Sequence, residues 1–188
     1  MRIGVVAIQG DFEKHVIALR ACGVDGLEVV EARTPEDLAS VERAIIPGGE
    51  STTVGLLMQR YGMADALKRA AADGMPIWGT CMGMIMMADN IEGRAQFSLE
   101  LLRIQVKRNA FGAQVNSFED EVQVVGMDEA VLGVFIRAPV VSKVDSPAEV
   151  FATYRGHVVG VRQGKLLGTS FHPELTDDVR LHQFFLGL

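Results

Sequence analysis

Short apolar runs alternate with segments of helical period along the first half of the chain. A bounded run of about four to eight apolar residues is typical of a buried strand, whereas apolar positions three and four residues apart indicate an amphipathic helix. The apolar runs lie at residues 3–8, 27–30, 44–47 and 75–79. The segments of helical period lie at residues 11–22, 35–41, 52–61, 64–72 and 82–88. This alternation predicts a parallel sheet flanked by helices.

The second half of the chain follows a different pattern, in which short β-like runs are separated by turn residues. The runs lie at residues 101–106, 122–125, 131–136, 150–154, 158–162 and 166–171. An amphipathic stretch at residues 177–186 closes the chain. Strands without intervening helices pair by short turns, so this half predicts a mixed or antiparallel extension of the sheet.

Length and composition place the chain among globular proteins. Its 188 residues, 48% hydrophobic and 22% charged, predict a single domain over residues 1–188. A net charge of −6 makes nucleic acid an unexpected partner. No apolar window is long enough for a membrane span, and the N-terminus lacks the layout of a signal peptide, so we expect a soluble, cytoplasmic protein.

Candidate chemistry begins at Cys81, in the segment Gly79-Thr80-Cys81-Met82-Gly83. A strand that ends in Gly-x-Cys-x-Gly and turns into a helix has the form of a nucleophile elbow. The positive end of the helix would favour the reactive thiolate. The alternative is a buried structural cysteine in a glycine-rich turn. Cys22, at a helix end, is interpreted as a core residue, and two distant cysteines indicate neither a disulfide framework nor a zinc site.

A cysteine nucleophile needs a base, and His172 is the best candidate among four histidines. It lies in Phe-His-Pro-Glu after an apolar run, where Glu174 could orient the imidazole as the third member of a triad does. Alternatively, this segment is an ordinary surface turn. The other three, His15, His157 and His182, are interpreted as structural or solvent-exposed.

A third feature is the glycine-rich turn Pro-Gly-Gly-Glu-Ser-Thr at residues 47–52. It lacks the lysine and the spacing of a phosphate loop. Its exposed N–H groups could bind a carboxylate or a developing oxyanion, with Ser51 or Thr52 as the helix cap. Glu50 could hold an ammonium group, although a helix cap beside a solvated glutamate is the alternative.

Together these features resemble the class I, triad-type glutamine amidotransferases, and more closely the glutaminase subunits of pyridoxal phosphate synthase. The resemblance covers essentially the whole chain. Besides the three features above, it rests on the segments Ala-Ile-Gln-Gly-Asp at 7–11, Arg-Asn-Ala-Phe-Gly at 108–112, Phe-Ile-Arg-Ala-Pro at 135–139 and Ser-Phe-His-Pro-Glu-Leu-Thr at 170–176. The pattern and the resemblance together imply an α/β fold, a flavodoxin-like three-layer sandwich with a mostly parallel central sheet and an antiparallel or mixed extension.

The resemblance implies that Cys81, His172 and Glu174 hydrolyse glutamine to glutamate and ammonia. It places the oxyanion hole at the backbone of Gly48, Gly49 and Met82. It assigns glutamine binding to Gly49, Glu50, Ser51, Arg108, Ile136 and Arg137. Chemically, the fork of Arg108 suits the substrate α-carboxylate, and Glu50 suits the α-amino group.

The resemblance also implies no cofactor and no metal, and delivery of ammonia to a separate barrel-shaped synthase subunit within a large hetero-oligomer. Gln9 would couple docking of that subunit to the oxyanion hole. Two positions depart from the family pattern: Ala113 replaces a usual arginine, and Met82 stands where a small residue is usual. They put in doubt an ion pair made by that arginine and the width of the pocket.

Two other interpretations stay open at the level of the sequence. One is a DJ-1-like cysteine hydrolase, which shares the elbow but not a late His-Pro-Glu. The other is a flavodoxin-like binding module without activity, which a glutaminase assay with the synthase subunit would distinguish.

Overall fold

The computed structural model describes residues 1–93, 95–108 and 117–188. The strands are β1 (Arg2–Val6), β2 (Glu28–Ala32), β3 (Arg43–Ile46), β4 (Ile77–Thr80), β5 (Ala88–Ile91), β6 (Leu102–Lys107), β7 (Ser117–Val124), β8 (Val131–Ile136), β9 (Val140–Val144), β10 (Glu149–Tyr154), β11 (His157–Gln163) and β12 (Leu166–Thr169). The helices are α1 (Phe12–Ala21), α2 (Pro35–Ala39), α3 (Ser51–Arg60), α4 (Met63–Ala72), α5 (Met82–Met87) and α6 (Arg180–Leu186), with a short 3-10 helix at Pro173–Leu175.

The strands join in one sheet with a parallel half and an antiparallel half. Parallel pairing gives the order β2-β1-β3-β4-β12. The sheet continues with antiparallel pairing through β11, β10, β7 and β8. A side branch runs from β11 through β9 and β6 to β5. The predicted parallel sheet with a mixed extension is therefore confirmed.

Helices cover both faces of the parallel half, which gives three layers. On one face, α2, α3, α4 and α5 supply buried residues to a core that includes Leu38, Met58 and Leu67. On the other face, α1 and α6 pack on the sheet through Leu19 and Phe185. Neighbouring residues of one strand serve opposite cores, because successive strand side chains point to opposite faces.

The sequence pattern located most elements but missed two strands. The strand β5 contains two exposed polar residues, Asp89 and Asn90, and the strand β9 contains two more, Ser142 and Lys143, so neither presents a continuous apolar run. The strand β7 begins at Ser117, five residues before the predicted start at 122, because its first residues alternate between exposed and half-buried positions. No helix within the described residues is long and apolar enough to span a membrane.

The topology brings the predicted chemistry to one edge of the sheet. The strands β1, β3, β4 and β12 are parallel, so their carboxyl ends meet. The loops that follow them carry Gln9, the 47–50 turn, Cys81 and the His172 segment. This is the edge where open α/β sheets bind their ligands.

Candidate active site

Cys81 occupies a strained turn between β4 and α5. Its φ of 49° and ψ of −104° lie where side chains other than glycine are uncommon. The Cys81 N–H donates to the Thr169 carbonyl oxygen at 2.7 Å, which anchors the turn to the neighbouring strand. The thiol is free, and it points near the Ile136 carbonyl oxygen at 3.9 Å. The predicted nucleophile elbow has the expected backbone.

Two glycines allow the elbow to pack. A Cβ on Gly79 would lie 2.4 Å from the Gly83 carbonyl carbon. A Cβ on Gly83 would lie 2.0 Å from the Ile46 carbonyl oxygen. Both contacts are with backbone, which cannot move aside, so the helix approaches the sheet only with glycine at both positions.

The imidazole of His172 is fixed by its own backbone and by Glu174. The His172 N–H donates to the Val134 carbonyl oxygen at 2.8 Å in an isolated β-bridge. Its Nδ1 lies 2.7 Å from Oε1 of Glu174, and both residues are buried. Nε2 is thereby left to face Cys81. The sequence placed Cys81 and His172 91 residues apart, and the sheet edge brings them into one cavity.

The charges of the site favour a protonated His172. Burial opposes a charge on the imidazole, but hydrogen bonds to Cys81 and Glu174, and the negative charges of these two groups, raise the pKa of His172 to about 10. For Glu174, burial is outweighed by the electrostatic effect of the neighbouring His15 imidazole and by the hydrogen bond with His172, so its pKa lies below the usual range. A protonated His172 next to a cysteine is suited to give its proton to a leaving group.

The histidines outside the triad separate into two kinds. His15 and His182 are fully buried behind Glu174, whereas His157 is exposed at the start of β11. The sequence could not decide between structural and exposed positions for His15 and His182. The prediction for Cys22 is confirmed, because it is buried and its thiol donates to the Ala18 carbonyl oxygen at 3.3 Å.

The glycine turn lies against the triad. A Cβ on Gly48 would stand 2.4 Å from Cε1 of His172, so the close approach of the imidazole requires glycine there. The Gly48 carbonyl oxygen accepts from the Asp11 N–H at 3.2 Å, and Oε1 of Gln9 accepts from the Glu50 N–H at 3.2 Å. These bonds tie the turn to the loop after β1.

The predicted cap of helix α3 is wrong. Neither Ser51 nor Thr52 is the N-cap, because Glu50 takes that position and its carboxylate accepts from the N–H groups of Thr52 at 3.0 Å and Thr53 at 2.7 Å. These backbone bonds lower the pKa of Glu50 to about 2. Each carboxylate oxygen keeps a further lone pair, so Glu50 can still accept from a ligand.

A cavity of about 350 Å³ opens over the nucleophile. Its walls include every residue predicted to bind glutamine or form the oxyanion hole: Gly48, Gly49, Glu50, Ser51, Met82, Arg108, Ile136 and Arg137. Cys81 and His172 also line it. Residues 109–112 of the segment 108–112, on which the resemblance rests, lie outside the described residues. Ala113, which departs from the family pattern, lies outside them as well.

Gln96 belongs to this site, and the sequence analysis did not single it out. Its Oε1 accepts from Nη1 of Arg108 at 3.1 Å and from the hydroxyl of Ser51 at 3.3 Å. It thus joins two predicted substrate-binding residues. Gln96 lies in an irregular segment between β5 and β6, without a motif or a period that could have revealed it.

A larger cavity of about 610 Å³ lies at the opposite edge of the sheet, beside Arg43, Pro76 and Lys165. No member of the triad lines it. Among the described residues, no group of three or more His, Cys, Asp or Glu side chains could hold a metal ion. The chemistry of the chain therefore centres on the smaller cavity over Cys81.

The fold and the site define a class of protein: a flavodoxin-like α/β protein in which a cysteine in a strand-to-helix elbow, a histidine and a glutamate stand together, in the pattern of a catalytic triad, at the carboxyl edge of a parallel sheet. Comparisons with known proteins narrow the class. The model of the SNO glutamine amidotransferase family matches residues 5–187. This chain belongs to that family, as the sequence resemblance predicted.

Individual relatives agree with the family match. The pyridoxal 5'-phosphate synthase subunit PdxT of Herpetosiphon aurantiacus is 52% identical, with 100% of both chains covered. The PdxT of Geobacillus thermodenitrificans is 47% identical over 100% of this chain and 95% of that protein. A solved structure described as a glutamine amidotransferase superposes with a TM-score of 0.92 at 45% identity, covering 98% of this chain and 97% of that chain.

A more distant solved structure, PurLQS from Thermotoga maritima, has a TM-score of 0.70 at 19% identity and covers 99% of this chain and 97% of that chain. At this identity the similarity shows the fold alone. The family membership favours the glutamine amidotransferase interpretation, and neither the DJ-1-like hydrolase nor the inactive module is supported.

Proposed function

We propose that this chain, acting as one glutamine amidotransferase domain over residues 1–188, hydrolyses L-glutamine and supplies the ammonia to pyridoxal 5'-phosphate synthesis. The observation that carries the proposal is the cavity in which Cys81 and His172 meet a charged carboxylate, Glu50, and a guanidinium, Arg108. These two opposite charges match the two charges of a free amino acid. Its side-chain amide then reaches the nucleophile.

The first half of the reaction releases ammonia. The Cys81 thiolate forms a bond from Sγ to the amide carbon of glutamine, and the carbonyl electrons move to oxygen. When the tetrahedral intermediate collapses, the C–N bond breaks and the imidazolium of His172 gives its proton to the nitrogen, which leaves as ammonia. A thioester and a neutral imidazole remain.

The second half restores the enzyme. Neutral His172 takes a proton from a water molecule as the water oxygen attacks the thioester carbon. The C–S bond breaks, glutamate leaves, and the thiolate and imidazolium are regenerated. Glu174 does not exchange a proton in either half; it holds Nδ1 at 2.7 Å and stabilises the imidazolium.

The oxyanion needs two donors close to Sγ. Met82 is the first residue of α5, and the N–H groups of a first helical turn have no partner within the helix. The second donor would come from the Gly48-Gly49 turn. Removal of one such donor typically costs about 100- to 1000-fold in rate. Met82 is buried, and its Cε lies 3.3 Å from a Cβ built on Gly49, so its side chain forms part of the pocket wall.

Arg108 and Glu50 would bind the ends of the amino acid. Arg108 uses one donor on Gln96, which leaves the rest of its fork for the α-carboxylate. Ser51 is held by the same amide oxygen. The exposed strand end at Ile136 and Arg137 would contribute backbone contacts at the mouth of the cavity.

The relatives named PdxT are subunits of pyridoxal 5'-phosphate synthase, so we propose that a separate synthase subunit, in a large hetero-oligomer, receives the ammonia. No cofactor is needed by the glutaminase chemistry. Gln9, whose amide oxygen binds the 47–50 turn, would transmit docking to the oxyanion hole. We therefore expect low glutaminase activity for the chain alone and a large rise when the synthase subunit is added.

The test is an assay of ammonia and glutamate release in the assembled complex. Cys81→Ala should lose activity with the fold intact, because it removes only a sulfur atom at the cavity floor. Cys22→Ala is the matched control and should retain activity. Activity that survives in Cys81→Ala would contradict the proposal.

A further inference from the structure

Two histidines lie buried behind the triad, on the side away from the cavity. His15 comes from α1 and His182 from α6, and neither side chain is exposed to solvent. Nδ1 of His15 lies 3.1 Å from Nε2 of His182, which is hydrogen-bond distance. The two helices thus meet at a polar contact inside a core that is otherwise apolar.

The other nitrogen of His15 faces the triad. Its Nε2 lies 3.0 Å from the hydroxyl of Thr80, the residue before the nucleophile, and 3.5 Å from Oε2 of Glu174. Oε1 of Glu174 is taken by His172. Among the described residues, Oε2 has no hydrogen-bond partner, and Nε2 of His15 is a polar group close to it.

The wall around the pair excludes water. The ring of Trp78 packs edge-on against both imidazoles, with centroids 5.8 Å from His15 and 5.0 Å from His182. Nε1 of Trp78 donates to the hydroxyl of Thr169 at 3.0 Å and so does not compete for either histidine. In so apolar a site both imidazoles are neutral, and burial lowers the pKa of each.

A neutral imidazole has one N–H, so the contacts determine the tautomers. If Nε2 of His15 carried a lone pair, that lone pair could accept from the Thr80 hydroxyl but would also face the Glu174 carboxylate, which would repel it. The carboxylate therefore favours the N–H at Nε2, and Nδ1 of His15 becomes an acceptor. Nε2 of His182 must then donate to it, which leaves Nδ1 of His182 without a hydrogen.

We propose that His15 is a positioning residue for the glutaminase reaction: its Nε2–H, kept in that tautomer by His182, faces the second carboxylate oxygen of Glu174 at 3.5 Å, and this electrostatic contact orients Glu174 and through it His172. The role rests on the proposed function. His15 does not line the cavity, so it acts through its contacts with Glu174 and Thr80 and not on the substrate itself.

Four ionisable groups face the pair, and they come from three segments of the chain. They are Asp11 before α1, His172 and Glu174 after β12, and Asp178 before α6. Of these, Glu174 is the one that loses a facing N–H when His15 is replaced by an apolar residue. Loss of that N–H raises the pKa of Glu174, because the N–H favours the charged form.

The kinetic test compares His15→Leu with His15→Gln in the assembled complex. His15→Leu should lower kcat by about 10- to 100-fold, as loss of an outer partner of a catalytic group does, with little change in KM for glutamine. The acidic limb of its pH profile should move to higher pH. His15→Gln, whose amide can place an N–H near Oε2, should recover part of kcat and of the pH profile.

A matched control separates positioning from packing. Val16 is the neighbour of His15 on α1, is buried in the same core and has no polar side-chain atom. Val16→Ala should lower the melting temperature but leave the pH profile unchanged. The role of His182 predicts that His182→Leu lowers kcat less than His15→Leu does, and that the double variant is no worse than His15→Leu.

A measurement that needs no activity reads the tautomers directly. The ¹⁵N shifts of the imidazole nitrogens in the isolated chain should show a protonated Nε2 on both His15 and His182, and His182→Leu should give a mixture of tautomers at His15. The inference is overturned if His15 carries its hydrogen on Nδ1, or if His15→Leu keeps both kcat and the pH profile. A wild-type complex without glutaminase activity would instead contradict the proposed function, while the shifts would still test the tautomers.

Discussion

The geometry of the triad depends on Gly48, a residue outside the triad itself. A Cβ there would stand 2.4 Å from the His172 ring, so Gly48→Ala should displace the imidazole and reduce glutaminase activity by at least about 100-fold. Gly55→Ala is the control, because a Cβ there meets Phe97 at 3.4 Å, an ordinary contact inside a helix. It should retain activity and gain stability, by at most about 1 kcal/mol. Steady-state kinetics and melting curves of both variants provide the check, and an active Gly48→Ala would contradict the observed approach.

The two partners of Cys81 should differ in the severity of their loss. His172→Asn removes the group that we propose protonates the leaving nitrogen and activates water, whereas Glu174→Gln keeps an acceptor near Nδ1 and loses the charge that supports the imidazolium. We expect kcat at saturating glutamine to fall about ten times further in His172→Asn. Rapid-quench measurement of ammonia release in the complex would show it. Equal or inverted losses would mean that Glu174 does more than orient and stabilise the histidine.

At the scale of single elements, helix α3 depends on Glu50 for its first turn. Glu50→Ala leaves the N–H groups of Thr52 and Thr53 without their carboxylate, which should lower the free energy of unfolding by about 1 kcal/mol. KM for glutamine should rise as well, if the same carboxylate binds the α-amino group. Gln59→Ala, at an exposed site on the same helix, should change neither quantity. Urea denaturation and steady-state kinetics measure the two effects separately.

The helices and strands also show how much of the fold could be predicted from the sequence. Alternating apolar runs located the parallel strands and their helices, because strands buried on both faces have no polar positions to break the run. The sequence pattern did not predict the strand β5, which has the exposed residues Asp89 and Asn90, or the early part of β7. Their pairing comes from neighbours far along the chain.

The site residues likewise divide into those that a local sequence pattern predicts and those that it does not. Cys81, His172 and Glu174 could be predicted from the sequence because characteristic residues lie beside them. Glycines flank Cys81, and a proline follows His172. Gln96 contacts Arg108, which is 12 residues away in sequence, and His15 contacts His182, which is 167 residues away. No local pattern marks them, so only the folded chain could reveal them. Glu50 was predicted as a site residue, but its backbone bonds to Thr52 and Thr53 were not predicted.

For the whole molecule, three buried histidines predict how stability depends on pH. The pKa of His182 is lowered to about 3 and that of His15 is also lowered, in both cases chiefly by burial. Below about pH 6.5 the unfolded chain binds protons at these residues that the folded chain does not, so stability falls as the pH falls. His172, whose pKa is raised to about 10, has the opposite effect on stability. Its contribution to stability is complete below pH 6.5 and is lost as the pH rises to about 10.

These opposite slopes place the maximum of stability near pH 6.5, with a slope of at most about 1.4 kcal/mol per pH unit from each histidine. Unfolding by urea at pH values from about 4 to 9 measures it. His182→Leu should flatten the acidic side of the profile. An acidic slope that is the same in His182→Leu would show that this histidine titrates normally in the folded chain.

The most direct test of the central claim, that Cys81 is the nucleophile of a glutaminase, is covalent labelling of the assembled complex with a diazo-ketone analogue of glutamine. Such a reagent requires both the amino-acid pocket and a nucleophile at its floor. Mass spectrometry of the digested protein should find one adduct, on Cys81, and excess glutamine should protect against it. Cys22 is an internal control, since it is buried away from the cavity and burial raises the pKa of its thiol. An adduct on Cys22, or no adduct on Cys81 in a complex that hydrolyses glutamine, would contradict the account.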